Sequence, residues 1–382
     1  MNNKECVILI LLDLSAAFDT IDQDRLISRL ESRFGVQGSA LKWFEAYLSN
    51  RSQQVVVGNV LSEPSSLKYG VPQGSVLGPI LYTLYTDPIG RIISSHGLNY
   101  HLYADDTQLY IPVTLQTQTE STDIVTKCVD DIKSWMTNNK LKLNDDKTEL
   151  IVFKPQRAEA VDIEHIYVGK TKITDSAVVR NLGVQLDSHL SMEPHINKIC
   201  QSAYFHLKNI GKIRHLIDKD TCKLLINSFV TSRLDYCNSL LYGVNKGAID
   251  KLQKIQNQAA RIITRTKKFE HITPALRALH WLPVEQRIVY KILLMTFKSL
   301  HGQAPEYLTS LLHEHKPTRQ LRSSASVMLD QPSTKSRFSE RAFSVCAPML
   351  WNSLSTSTRC CKSVKTFKTH LKTELFRRTF CK

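Results

Sequence analysis

The chain has 382 residues, 42% hydrophobic and 22% charged, with a formal net charge of +15; this is the composition of a soluble globular protein with room for two or three domains. No apolar run approaches the roughly 20 residues of a membrane span, and the nine cysteines show no Cys-x-x-Cys pair or zinc-knuckle spacing, which excludes a disulfide framework and points to reduced thiols inside the cell, in nucleus or cytoplasm. The charge is uneven: residues 1–190 hold 18 Lys+Arg against 23 Asp+Glu, net −5, while residues 191–382 hold 32 against 12, net +20.

In chain order, Cys6–Leu12 (CVILILL) is a continuous apolar run that predicts a buried strand ending in Asp13. A signal peptide is the competing reading of Lys4 and this run, but the run stops abruptly at Asp13 with further acids behind it. Small residues and one aromatic follow, Leu14-Ser15-Ala16-Ala17-Phe18-Asp19. Gln23–Phe34 and 40–49 have helical spacing, and 53–60 reads as a strand. Two prolines and three glycines in 70–79 (GVPQGSVLGP) exclude a helix or central strand there, and the pattern turns helical after Pro79. Such a rigid loop is able to lie against a base pair and offer the Gln73 amide, or it is an ordinary helix entry. Strands are expected at 99–104 and 107–112, a helix at 122–138, and strands at 148–153, 163–168 and 178–186.

Beyond about residue 192 the pattern is helical. Asp218 caps an expected helix at 221–232, 248–266 carries an aliphatic stripe beside Lys251, Lys254, Arg261 and Arg265, and helices continue over 283–313. Residues 316–340 read as a loop or flexible stretch. The tail places Lys362, Lys365, Lys368 and Lys372 on one helical face.

Tyr103-Ala104-Asp105-Asp106 stands between two β-prone runs, a hairpin whose tip presents both acids. Adjacent carboxylates repel and weaken a strand. Either this is an Asp-rich turn, or the acids bind hard divalent ions, and a phosphate-transfer site wants two such ions about 3.5–4 Å apart. A third acid, Asp13, in a matching setting favours metal.

Taken together, these segments resemble the palm of reverse transcriptases, specifically those of non-LTR (LINE-type) retrotransposons. Leu12–Asp19 looks like motif A, 70–79 like motif B and 103–106 like motif C. Residues 43–51 (WFEAYLSNR) resemble the helix between A and B, 141–153 (LKLNDDKTELIVF) motif D, and Asn181-Leu182-Gly183-Val184 motif E; the likeness extends through His280-Trp281-Leu282-Pro283 and 341–354. The resemblance implies an α+β fold: an antiparallel palm sheet packed on helices over 1–190, a helical thumb-like region over 191–270 and a basic, mainly helical region over 271–382. It also implies RNA-directed DNA synthesis on an RNA template and DNA primer from deoxynucleoside triphosphates, with two Mg²⁺ ions, or Mn²⁺, on Asp13, Asp105 and Asp106. Phe18 would be the gate against a ribose 2′-hydroxyl; Gln73, Gly74 and Tyr103 would meet nucleotide and template; Leu182 and Gly183 would belong to the primer grip. Lys147 would stabilise or protonate the leaving pyrophosphate, or is simply a solvated lysine beside Asp145-Asp146.

Only twelve residues precede Asp13, and none resembles the family's fingers region or its amino-terminal endonuclease. The expectation is therefore a truncated copy, and the alternative to an active polymerase is a catalytically silent remnant that binds nucleic acid through its +20 half.

Overall fold

The computed structural model describes residues 5–15, 17–155, 161, 163–169, 171–315, 327–334 and 338–381. Strand β1 (Cys6–Leu12) is the axis of the first half. Cys6, Ile8, Ile10 and Leu12 are at most 1% exposed and Leu9 is also buried, so the strand is covered on both faces, as an unbroken Ile/Leu run requires. Helices α1 (Gln23–Phe34), α2 (Gly38–Leu48), α3 (Gly78–Thr86) and α4 (Pro88–Ser95) follow, then β2 (Asn99–Tyr103), β3 (Asp106–Val113), α5 (Gln118–Asn138) and β4 (Glu149–Phe153). The four strands form one antiparallel sheet in the order β4-β1-β3-β2. Local chemistry sets the helix ends. Asp22 accepts from Arg25 N at the start of α1, and Gly35 closes it in the left-handed region at φ 67. Pro79 and Pro88 open α3 and α4 in their first turns. Helix α5 buries Val125, Cys128, Val129, Ile132 and Met136 along one stripe.

Two expected strands are broken. The stretch 53–60 is part of a pair of short ladders, Arg51–Gln53 with Ser65–Leu67 and Val56–Val57 with Val60–Leu61. Gly58 turns the chain between the inner strands at φ 64, and Val56, Val57, Val60 and Leu61 remain exposed. The stretch 178–186 divides into Val178–Asn181 and Val184–Asp187, because Leu182 and Gly183 both take positive φ.

The chain separates into two compact units between Asn181 and Leu182. The second unit is helical: α6 (Glu193–Ile213), α7 (Lys219–Ile226), α8 (Lys246–Thr264), α9 (Thr273–Ala278), α10 (Val284–Leu300), α11 (Phe343–Asn352) and α12 (Val364–Phe380). Asp218 caps α7 as the sequence suggests, accepting from Thr221 N at 2.7 Å, but the helix then widens into a π-helical turn over Asn227–Thr231. Residues from both 191–270 and 271–382 share a single apolar core. Phe297 of α10 stacks on Phe367 of α12 at 4.2 Å between centroids, and Trp351 of α11 lies 5.8 Å from Phe367. Residues 316–326 and 335–337 of the expected loop at 316–340 lie outside the described residues. Among the described residues no helix is long and apolar enough to cross a membrane.

Phe367 is fully buried in this aromatic cluster. Phe367→Ala should cost about 3–5 kcal/mol, the usual cost of truncating a core Phe, read as a fall in the urea midpoint.

Candidate active site

The site begins with strand register. β1 and β3 pair antiparallel up to Leu12 opposite Thr107, so the next step sets Asp13 opposite Asp106. β2 and β3 close with Tyr103 opposite Asp106, leaving Ala104-Asp105 as a two-residue turn with Ala104 at φ 52. Such a tight hairpin requires positive φ, and alanine accepts it here at some cost. On the other side the β1–β4 ladder ends with Leu11 opposite Glu149, and Lys147, from the turn that precedes β4, reaches Asp13 through its side chain. One end of the sheet therefore lines up Lys147, Asp13, Asp106 and Tyr103, with Asp105 at the tip. Directly opposed residues have Cβ atoms about 4.5–5.5 Å apart.

The row is electrostatically crowded. Partial burial, then the charges of Asp105 and Asp13, push the Asp106 carboxyl above its ordinary range. Lys147 Nζ lies 3.1 Å from Asp13 Oδ2, close enough for an ion pair although that buried oxygen accepts no hydrogen bond of good geometry. Lys147 arrives on a short helical turn, Asp145–Lys147. The turn is anchored by Lys133 of α5, whose Nζ lies 2.5 Å from Asp145 Oδ2, and by Asn144 N donating to Asp13 O at 2.9 Å.

The Gly/Pro loop packs onto the segment after Asp13. Gly70 N donates to Ile21 O at 2.7 Å and Val71 N to Phe18 O at 2.9 Å. Gly70 sits at φ 86 with the backbone of Phe18 and Asp19 about where a Cβ would go, Asp19 O being 2.9 Å from that point. Here glycine is required twice, by conformation and by contact. Gln73 Nε2 donates to Asp19 Oδ1 at 2.8 Å. Gly74, at φ 76, has nothing within 4 Å of its would-be Cβ, so its backbone is open to solvent. Ser75 Oγ accepts from Gly78 N at 3.0 Å, joining the loop to the entry of α3.

Phe18 is half-buried, its ring 4.8 Å from that of Tyr82 on α3. Tyr82 is a site residue that motif reading misses. It is fully buried, its hydroxyl has no hydrogen-bond partner among the described residues, and burial followed by the charges of Asp105 and Asp106 raises its phenol. The YTLY stretch that carries it reads as one more apolar helix face, so no local signal marks it. Tyr103 is 60% exposed at the end of the row. Asp13, Asp105, Asp106, Lys147, Tyr103, Phe18, Gln73 and Gly74 all belong to the first unit. Leu182 and Gly183 open the second, their turn held by Tyr236 Oη donating to Leu182 O at 2.6 Å.

Three aspartates supply hard carboxylate oxygens of the kind Mg²⁺ and Mn²⁺ take, and Asp13 Oδ2 is buried with no hydrogen-bond donor among the described residues. The donor set fits a divalent cation in kind. Among the described residues no three His, Cys, Asp or Glu side chains are gathered closely enough to hold one; the cation at Asp13 is Lys147.

A family profile described as reverse transcriptase (RNA-dependent DNA polymerase) matches residues 1–186. Three Drosophila melanogaster proteins are similar to the chain. The probable RNA-directed DNA polymerase from transposon BS is 26% identical over 307 residues, 75% of this chain and 32% of its own length. The RNA-directed DNA polymerase from mobile element jockey is 24% identical over 276 residues (69% and 29%), and the probable polymerase from transposon X-element 24% over 288 (73% and 30%). The chain thus spans about a third of the length of these relatives. Among solved structures, telomerase from Candida albicans in complex with a TWJ fragment of telomeric RNA aligns at 13% identity and a TM-score of 0.33, covering 75% of this chain and 48% of that one. Apo telomerase from Candida tropicalis aligns at 10% identity and 0.39, covering 74% and 47%.

Gly70→Ala should destabilise the first unit by at least about 2 kcal/mol, since it adds left-handed strain to a clash with Asp19 backbone. Gly74→Ala, which meets only the strain, should cost less; urea unfolding of the two variants checks the order.

Proposed function

We propose, from the similarity of residues 1–186 to the reverse transcriptase profile and of the chain to the Drosophila transposon polymerases, that this is a LINE-type reverse transcriptase whose carboxylate row performs RNA-directed DNA synthesis. A primer 3′-hydroxyl would attack the α-phosphorus of a deoxynucleoside triphosphate paired to an RNA template, and pyrophosphate would leave. What carries this reading is the register that sets Asp13 opposite Asp106 beside Asp105, on a palm-type antiparallel sheet.

Asp13, Asp105 and Asp106 would hold Mg²⁺, or Mn²⁺ in its place, which when bound offsets the triphosphate charge and makes the primer hydroxyl more acidic. The protein's own share in phosphoryl transfer is mostly positioning. Phe18, braced by Tyr82, would fill the space a ribose 2′-hydroxyl needs. The Gln73 amide, on leaving Asp19, and the open backbone of Gly74 would contact the incoming nucleotide and template, with Tyr103 flanking them. Lys147 would release Asp13 when the site loads and give its ammonium proton to the departing pyrophosphate. The Leu182-Gly183 turn would seat the primer end. In this reading residues 1–190 act as palm, 191–270 as thumb and 271–382 as a basic region that follows the nucleic-acid backbone, an assignment supported by the +20 charge of residues 191–382.

The purified chain, given poly(A), an oligo(dT) primer, dTTP and Mg²⁺, should extend the primer, and Asp105→Asn should abolish extension. Lys147→Met should slow it by about 10²–10⁴-fold, the usual contribution of a general acid. Equal, negligible extension by wild type and Asp105→Asn would leave only the silent, nucleic-acid-binding alternative. In either case RNA affinity should fall steeply between 50 and 200 mM salt, by about 10³-fold or more if six or more phosphates are contacted; a flat response in a filter-binding titration would count against the basic region as a phosphate grip.

A further inference from the structure

Resting on the polymerase reading of Phe18 as the gate against a ribose 2′-hydroxyl, we infer that Tyr82 is a positioning residue that sets how strictly the site selects deoxyribose. It does so by holding the Phe18 ring in place. Sugar selection then belongs to α3 and the Gly/Pro loop as much as to Phe18 itself.

Phe18 does not hold itself. A steric gate works by filling a fixed volume, and a ring that swings aside by an ångström no longer excludes one hydroxyl. Phe18 is half-buried and lies in a turn, outside any helix or strand. Its supports come from one stretch of chain. Val71 N donates to Phe18 O at 2.9 Å, and the would-be Cβ of Gly70 lies 3.0 Å from that same oxygen. Gln73 holds the next residue, Asp19. The ring itself meets Tyr82, with 4.8 Å between centroids and 36° between planes, a tilted contact of the kind aromatic pairs favour.

Tyr82 is built to stay where it is. It is the fifth residue of α3 and fully buried, with Leu81 and Tyr85 of the same helix buried too. A close-packed interior leaves such a ring little freedom. Its hydroxyl makes no hydrogen bond among the described residues, so what Tyr82 offers Phe18 is its ring. Burial, then the charges of Asp105 and Asp106, raise its phenol, so the side chain that meets Phe18 is also within electrostatic reach of the acids. Ser75 Oγ accepts from Gly78 N at 3.0 Å and ties α3 to the loop. Val71, Gln73 and Tyr82 thus belong to one continuous piece of chain that grips Phe18 and Asp19 at three points. When Gln73 leaves Asp19 for a nucleotide, the loop that carries it also carries the supports of the gate. Base contact and sugar selection are joined mechanically.

The test is primer extension by the whole chain on poly(A) with oligo(dT) and Mg²⁺, comparing kcat/KM for dTTP and for UTP. Tyr82→Leu should lower the dTTP-to-UTP ratio by about ten- to a hundredfold, because UTP gains. Tyr82→Phe, which keeps the ring, should keep the wild-type ratio. Tyr85→Leu removes another buried tyrosine from α3; it should lower the urea midpoint without moving the ratio. If the leucine variant does not fold, Tyr82→Met, which fills the space without a ring, replaces it. A second measurement needs no catalysis: fluorine NMR of the chain labelled with 4-fluorophenylalanine, the Phe18 resonance being identified by its loss in Phe18→Leu. That resonance should shift or broaden in Tyr82→Leu and not in Tyr85→Leu. Equal losses for both nucleotides in Tyr82→Leu would make Tyr82 merely structural and overturn the inference. So would an equal fall of the ratio in Tyr85→Leu, a ratio lost in Tyr82→Phe, or a Phe18 resonance that ignores Tyr82→Leu. Failure of the wild type to extend with either nucleotide would refute the polymerase reading itself, and sugar selection with it.

Discussion

Strand β1 is paired along both edges, and those two registers decide where every acid of the site lands. Asp13 follows Leu12, which stands opposite Thr107, and so comes beside Asp106, and it meets Lys147 because the turn before β4 carries that side chain to it. A slip of one residue would move Ile8, Ile10 and Leu12 from the fully buried face to the face of Val7, Leu9 and Leu11, which is only partly buried at Val7 and Leu11. Burying those three side chains contributes about 5–9 kcal/mol in all, against solvent. Repulsion between two carboxylates at the row is worth about 1–4 kcal/mol at effective dielectrics between water and the protein surface. Apolar burial therefore wins, and the core holds the acids together against their own charge.

The remaining polar contacts refine that arrangement. Lys133 holds Asp145, the turn it anchors presents Lys147, and Lys147 pairs with the Asp13 oxygen that has no other donor. Gln73 in turn is held by Asp19. Both contacts are partly exposed, so each is worth little as a stability device. Their significance is that both are exchangeable: each parks a reactive or recognising side chain in a defined place that a substrate complex is able to reset. Gly70, by contrast, is not exchangeable, since the backbone of Asp19 fills the space beside it.

The acids and the Gly/Pro loop were legible in the sequence because their chemistry is local. A carboxylate at the end of an apolar run and a pair of acids between two strands carry their meaning within a few residues. Tyr82 was not legible, since its position between Phe18 and the acids arises from packing of α3 under the sheet end, and its helix spacing matches any core residue. The Lys133–Asp145 pair was hidden for the same reason: it joins a helix face to a turn that only the fold brings together. Misread strands trace to single residues. Val55-Val56-Val57 promised one strand, and Gly58 at positive φ made it a hairpin; Leu182-Gly183 divided another. In the second half, helical spacing and the Asp218 cap were readable, but the sharing of one core by residues 191–270 and 271–382 was not, because a helical stripe says that it is buried and not against what.

The central place of β1 also sets an order of events. Ile8 pairs with Ile111 on one side and Val152 on the other, so neither neighbour exists when the strand leaves the ribosome. At about 5–20 residues per second, β1 waits roughly ten to thirty seconds for β4 to be synthesised. Throughout that interval CVILILL is an unpaired apolar segment of high β propensity, the kind that associates with its like. Its pairings are non-local, which slows closure further. The strand that fixes the chemistry is thus made before both of its partners and satisfied only when the second arrives, and the yield of folded protein should depend on what shields seven residues during synthesis.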